Sequence, residues 1–492
     1  MLSPIPALEA YGVSSKYGFL PAVPPIDRLP DPYYNKWEAI VSNLQGLILS
    51  KRLRGVVDRL PVLSTVGLVH DSEWRRAYSI LCFMAHSYIW SEDVPSERLP
   101  QSISIPLLEV SAYLEVPPVA TYAAVCLWNY KSLFFDEGID NLDNIATHIT
   151  FTGSTDESWF FLVSVAIEAR GAPAITLMLE AIKAARVDDV DTVTSCLQKF
   201  AEILSELGKL LETMHDRCDP YIFYHRIRPF LAGSKNMKEA GLPNGVIYED
   251  GTGSEKFRQF SGGSNAQSSL IQFFDIILGI EHLPTGEKIG DRAIHSTDNP
   301  VPAPNQNFIL EMRNYMPGPH RRFLEDTAKV ANIREFVYKN SQDHSLTLAY
   351  DACLKMLSDF RSLHLKIVSR YIILKSRETK SASKQADVKA QSQKLDIASS
   401  SSKSPGGTSS SKSLKGTGGT TLIPFLKQAR DETCHLAANA WARRIMNCVG
   451  PQDTSEFKSE IKSDDCRPID LTVGNISAFW TLEENAGGLC HF

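Results

Sequence analysis

The chain has 492 residues, 43% hydrophobic and 22% charged, with a formal net charge of −6. That balance suits a soluble globular protein with enough apolar residues for two or three cores. It gives no electrostatic basis for binding nucleic acid, which needs a basic surface, so no nucleic-acid partner is expected. Nine cysteines are scattered without CxxC spacing, the pattern of reduced thiols rather than a disulfide framework or a zinc site.

The N-terminus, MLSPIPALEAYGV, lacks the basic start and continuous apolar core of a secretory signal. No uninterrupted apolar run reaches the ~20 residues that a membrane-crossing helix requires. The final GLCHF fits neither a prenylation site nor a peroxisomal tripeptide. A cytoplasmic protein with no membrane partner is the expectation.

Residues 1 to about 35 are rich in proline, including Pro4, Pro6, Pro21, Pro24, Pro25, Pro30 and Pro32. Such a segment cannot form a long helix and predicts an extended arm over the surface. From Tyr34 to about residue 150, apolar residues recur at helical spacing, as in WRRAYSILCFMAHSYIW and PPVATYAAVCLWNYKSLFF. Strand-like alternation is scarce throughout, which predicts an all-α fold. At Gly153 the pattern breaks, and Ser154-Thr155-Asp156-Glu157 then has the spacing of a capping box. A boundary is expected here, between an N-terminal arm and small helical domain (1–152) and a larger helical domain (153–375).

A long helix is predicted through VDDVDTVTSCLQKFAEILSELGKLLETMHD, its valines, leucines and Met214 forming a core-packing stripe. Residues 376–415 are dominated by Ser, Lys, Gly and Gln. They cannot bury enough apolar area to offset chain entropy and are expected to be disordered. Helical spacing returns over 416–450, and 451–492 read as a polar extension.

Several candidate sites stand out. Leu346, Tyr350, Cys353, Leu357, Phe360, His364, Ile367 and Tyr371 advance by alternating steps of four and three, one apolar stripe with a histidine in it. The ordinary interpretation is a core histidine with a satisfied partner. The sharper one is an axial ligand to haem, with Arg361 one turn earlier able to reach a propionate. Periodicity leaves the two open. In FYHRIRPF, Pro229 disfavours the helical conformation at Arg228, so a helix is expected to stop there. Arg228 among aromatics suits a ligand with a carboxylate and a flat ring, though a surface ion pair is the commoner role.

FRQFSGGSNAQSS approaches the Gly-x-Ser-x-Gly elbow of serine hydrolases around Ser264. The last glycine is missing and no strand is expected over Gly251–Lys256, which discounts that chemistry. Gly416-Thr417-Gly418-Gly419-Thr420 lacks P-loop lysine spacing and suits a hinge or a lid. No His-Glu-x-x-His or paired-cysteine metal site occurs.

Seven blocks in order, FTGSTDESWFFLVS, FYHRIRPFLAG, FSGGSNAQSSLIQFFDIILGI, YMPGPHRRFLE, REFV, YDACLKMLSDFRSLHLKIVSRYI and KGTGGT, resemble the indoleamine 2,3-dioxygenase family from about Tyr34 to Arg430. The resemblance implies a small and a large helical domain, with one b-type haem (heme b) per chain in the large one. His364 matches the proximal iron ligand, Arg361 the propionate-binding arginine, and Asp275 an acidic residue that holds Arg361. On the substrate side Phe160 and Ser164 match the pocket phenylalanine and the serine near the indole N–H. Tyr122 comes across from the small domain. Phe223 and Tyr224 match an aromatic pair, Arg228 the carboxylate-binding arginine, Ser264 the loop at the haem edge, and Thr417 the lid.

The implied reaction joins O₂ to L-tryptophan, opening the pyrrole ring to N-formylkynurenine in the kynurenine pathway. No side chain is required as acid or base, and Ser164 is a modulator. An electron donor is implied to keep the iron ferrous, and the chain is expected to act as a monomer. Tyr224 and Asn265 depart from the vertebrate pattern (phenylalanine and a small residue), which opens the choice of indole. The linker before the glycine-rich lid and the C-terminal extension exceed vertebrate forms, and the whole resembles fungal members. Other classes remain open: a haem protein that binds O₂ without turnover, and a haem-free scaffold or a hydrolase built on Ser264.

Overall fold

Helix Thr155–Gly171 shows how local sequence starts the elements that build this protein. Ser154 accepts a hydrogen bond from the Glu157 N–H at 3.2 Å, as the capping box requires. Glu157 does not return the bond to Ser154. Its carboxyl oxygens accept from the Phe151 and Thr152 N–H groups, both at 2.7 Å, so the box folds the incoming chain against the helix. In the computed structural model, residues 3–253, 255–285, 307–379 and 422–439 are described, and all belong to one compact unit.

The longer helices are α1 (Asp71–Trp90), α2 (Gln101–Leu114), α3 (Thr155–Gly171), α4 (Pro173–Ala185), α5 (Val190–Glu212), α6 (Ser269–Leu278), α7 (Gly318–Ala328), α8 (His344–Val368) and α9 (Leu422–Cys434). Strands are few and short. β1 (Arg98–Leu99) pairs parallel with β4 (Val246–Tyr248), which pairs antiparallel with β5 (Phe257–Arg258). β2 (Tyr130–Ser132) and β3 (Ile145–Thr147) form a separate antiparallel hairpin. The fold is all-α, as the sequence predicts.

α5 and α8 form the most extensive helix pair, with α4 and α3 packed on α5 and α9 on α8. Asp189 caps α5 through the Thr192 N–H and Asp343 caps α8 through the Leu346 N–H. On α8 the predicted stripe is buried at Leu346, Tyr350, Cys353 and Leu357. It then opens at Phe360 and His364, which face a cavity.

Three details differ from expectation. The proline-rich arm is not merely draped on the surface: Val13, Phe19, Leu20 and Leu29 are buried, and Tyr11 donates to Asp326 at 2.6 Å. The stretch 155–185 is long and apolar enough by composition to cross a membrane, yet 72% of its most apolar window is buried inside the protein. It is apolar because α3 and α4 form the middle of the core. The helix after α8 runs on to Thr379, four residues into the segment expected to be disordered. The rest of that segment, Thr417 and its lid, and the extension from 451 lie outside the described residues. All six described cysteines are free and buried.

Candidate functional site

Helices α3, α5, α8 and α9 surround a cavity of two adjoining lobes, ≈ 150 Å³ and ≈ 120 Å³. His364 lines both. Burial, with the Arg361 charge acting in the same direction, pushes its pKa down to about 4, so the imidazole is neutral. Neither ring nitrogen has a hydrogen bond among the described residues. A neutral imidazole without a partner, facing an apolar space, is what an axial iron ligand requires. No three His, Cys, Asp or Glu side chains converge as a bare-ion site among the described residues. A lone imidazole with apolar walls and an arginine one turn away therefore fits a haem.

Phe160, Phe223, Arg228 and Ser264 line the larger lobe together with His364. The Phe160 and Phe223 rings lie 4.8 Å apart at 49°, and Phe223 meets Tyr371 edge-on at 5.7 Å. Arg228 is only 2% exposed, with its guanidinium 5.7 Å from the Tyr224 ring. Tyr224 does not line the cavity; it packs on the arginine instead. Ser164 lines the smaller lobe with Arg361 and Asp275, and Tyr122 lines both. The Ser164 hydroxyl contacts Tyr122 and the Cys126 thiol. Thus ten of the eleven site residues named from the sequence fall within the described structure, and nine of those line the cavity.

The helix through FYHRIRPF does not stop at Arg228. Phe223–Ile227 is a π turn, and Arg228–Leu231 then continues as α-helix with Arg228 at φ −52° and ψ −37°. The Arg228 N–H closes the π turn on the Phe223 carbonyl, and the widened turn accommodates Pro229, which has no N–H to donate. Two more π turns, Ala123–Leu127 and Ser369–Leu374, also border the cavity. They supply Val125 and Cys126, and Tyr371 and Ile372. A π turn swings side chains off the regular helical face, which is why such turns gather at functional sites.

Beside His364, Arg361 pairs with Asp275 and donates to Thr433 and to the Ala429 carbonyl at 3.1 Å. A further link extends the cluster. His282 bonds Asp275 at 3.0 Å through Nε2 and Glu432 at 2.6 Å through Nδ1. Burial would lower the His282 pKa, but the two carboxylates outweigh it and raise it. Burial would raise that of Asp275, yet Arg361 and His282 hold it low. His282 and Glu432 were not singled out from the sequence, because neither lies in a motif and they are 150 positions apart.

Ser264 has lost its case as a nucleophile. A two-residue strand, β5, does precede its loop, but the Ser264 hydroxyl accepts from the Ala266 N–H at 3.3 Å and caps a 3₁₀ turn. Among the described residues no histidine bonds it, so a general base is lacking.

An all-α scaffold places an imidazole, a buried arginine and facing aromatic rings around one cavity, the kind of lining that can hold a flat prosthetic group and an aromatic ligand. The family model described as Indoleamine 2,3-dioxygenase matches residues 7–436, and the chain belongs to that family. It is 42% identical to Indoleamine 2,3-dioxygenase nanC of Aspergillus nanangensis over 88% of this chain and 98% of that protein. It is 43% identical to Indoleamine 2,3-dioxygenase of Saccharomyces cerevisiae over 88% of this chain and 94% of that one. A third relative, 6-hydroxytryptophan 2,3-dioxygenase fscD of Fusarium equiseti, is 40% identical over 77% of this chain and 88% of its own length. The family is haem-dependent, and the chain is an oxidoreductase of the dioxygenase class.

Proposed function

We propose that this chain inserts both atoms of O₂ across the C2–C3 bond of L-tryptophan's indole, giving N-formylkynurenine, and that His364 is the side chain that would hold the iron of a b-type haem. The observation that carries this is the neutral His364 imidazole, unbonded at both nitrogens where two cavity lobes meet. Haem, when bound, supplies the activation of oxygen, and a cellular electron donor keeps its iron ferrous.

The protein's own residues provide position and dryness. Arg228, buried in the wall of the larger lobe, pairs with the substrate carboxylate as a two-pronged donor. Phe160 and Phe223 present aromatic surface to the flat indole. Ser164, engaged with Tyr122 and Cys126, tunes the pocket and takes no proton in the reaction. Arg361, steadied by Asp275, would help hold the haem by pairing with an acidic group of it. The protein acts as a monomer in the cytoplasm, where reduced cysteines persist.

The test is steady-state formation of N-formylkynurenine from L-tryptophan by haem-loaded protein with a reductant present. A protein that shows a normal haem spectrum and forms no product would instead be an oxygen carrier. A ring-substituted indole is the second reading. Asn265 lines both lobes, and its side-chain amide has no hydrogen bond among the described residues. It can therefore meet a ring hydroxyl, in line with the Fusarium relative's name. A panel of ring-hydroxylated tryptophans separates the two substrates.

A further inference from the structure

Glu168 lies one helical turn beyond Ser164 on α3 and is 1% exposed. Its Oε1 accepts two hydrogen bonds, from the Ser268 hydroxyl at 2.6 Å and the Tyr122 hydroxyl at 3.1 Å. Its Oε2 is equally buried and has no hydrogen-bond partner among the described residues. The two donors come from segments far apart in the chain. Tyr122 opens the π turn at 123–127, while Ser268 caps α6 and ends the loop carrying Ser264 and Asn265. A second bond ties the same segments, from the Tyr122 N–H to Gln267 Oε1 at 2.8 Å. One carboxyl thus joins three segments that line the cavity, through Ser164, Tyr122 and Ser268.

Packing alone does not ask for an acid at this place. A glutamine oxygen would accept the same two hydroxyls, and a buried carboxyl with an unpaired oxygen is costly. We propose that Glu168 is a positioning residue for the reaction: ionised, it holds Tyr122 and the Ser264–Ser268 loop in place around the substrate, and protonated, it releases them. This rests on the cavity being the substrate site.

The chemistry follows from the count of donors and acceptors. A carboxylate only accepts, so both hydroxyls can point at Oε1. Protonation creates an O–H that finds no acceptor at Oε2. The group must then turn, and Tyr122 or Ser268 loses its acceptor. Burial pushes the Glu168 pKa up to about 7, with the two hydroxyl bonds pulling the other way. Ser268 and Tyr122 are the side chains acting on it. Its titratable neighbours, Tyr122 and Cys126, are both raised by burial and stay neutral around pH 7.

The experiment compares wild type with E168Q, both haem-loaded, on L-tryptophan at pH values either side of neutrality. The wild-type KM should rise several-fold as pH falls through 7, with kcat changing less. E168Q should show no such rise, because the amide oxygen accepts at every pH. Identical KM profiles would overturn the proposal. Thermal unfolding gives a readout independent of turnover. A carboxyl with a raised folded pKa contributes stability below about 4.5 that is lost as pH climbs through 7. E168Q should therefore gain on wild type over that interval, and a constant gap would count against it. If neither protein turns over tryptophan, this second readout still tests Glu168. If E168Q does not fold, Y122F takes its place: removing one donor moves the titration to higher pH, and an unmoved midpoint refutes the idea.

Discussion

Arg228 shows how much one side chain can decide. It is almost fully buried and sits at the lobe wall rather than the surface, and in the proposed reaction it anchors the substrate carboxylate. A charged hydrogen bond is worth about 1.5–3 kcal/mol. R228A should therefore raise KM for tryptophan about 10- to 100-fold and much less for an indole lacking the carboxylate. Equal losses on the two substrates would remove Arg228 from the anchoring role. Ser164 is the contrasting case. Among the described residues no hydrogen bond joins its hydroxyl to a histidine or a carboxylate, so nothing prepares it as a base. S164A should lower kcat by less than the ~10²–10⁴-fold typical of a lost acid–base group; a fall within that range would show that it moves a proton.

At the scale of elements, α9 is held by charge as much as by packing. Glu432 accepts from His282 at 2.6 Å and from the Leu283 N–H at 3.0 Å, while Arg361 reaches across to Ala429 and Thr433. The same helix lines the cavity through Phe425 and Leu426. The raised His282 pKa contributes stability that is complete below 6.5 and lost as pH rises through the folded value. The lowered Asp275 pKa contributes above 3.8 and is lost as pH falls toward its depressed value. Docking of α9 should thus be tightest between these limits. Thermal unfolding of H282Q should lose the alkaline decline seen in wild type; parallel curves would show that His282 carries no charge there. The α3 cap gives a simpler case. S154A removes one bond to the Glu157 N–H and should cost about 1 kcal/mol of stability by denaturant titration.

For the molecule as a whole, the proposed haem site in the cavity would link folding to cofactor binding. A ligand that binds only the folded state stabilises it by about 4 kcal/mol at a thousand times its Kd. Haem should raise the melting temperature of wild type clearly above that of the apoprotein. H364A, with no imidazole for the iron, should lose most bound haem and show little such rise. Full haem retention in that variant would place the ligand elsewhere.

The helical class, the cap at Ser154 and the stripe along α8 follow from local sequence, because a helix repeats every 3.6 residues and its ends need donors or acceptors nearby. Arg228, Phe160 and the pairing of Arg361 with Asp275 were legible through family motifs rather than periodicity. The three π turns were not, since one inserted residue per turn leaves no pattern in apolar spacing. Glu168, His282 and Glu432 also escaped. A buried acid or histidine outside a motif looks like any other polar residue until its partners are known, and Tyr122 lies 46 positions from Glu168 while Glu432 lies 150 from His282. Local spacing determined which faces turn inward; only the packing of α3, α5, α8 and α9 decided which inward groups meet, because convergence is a long-range contact that no short window of sequence contains.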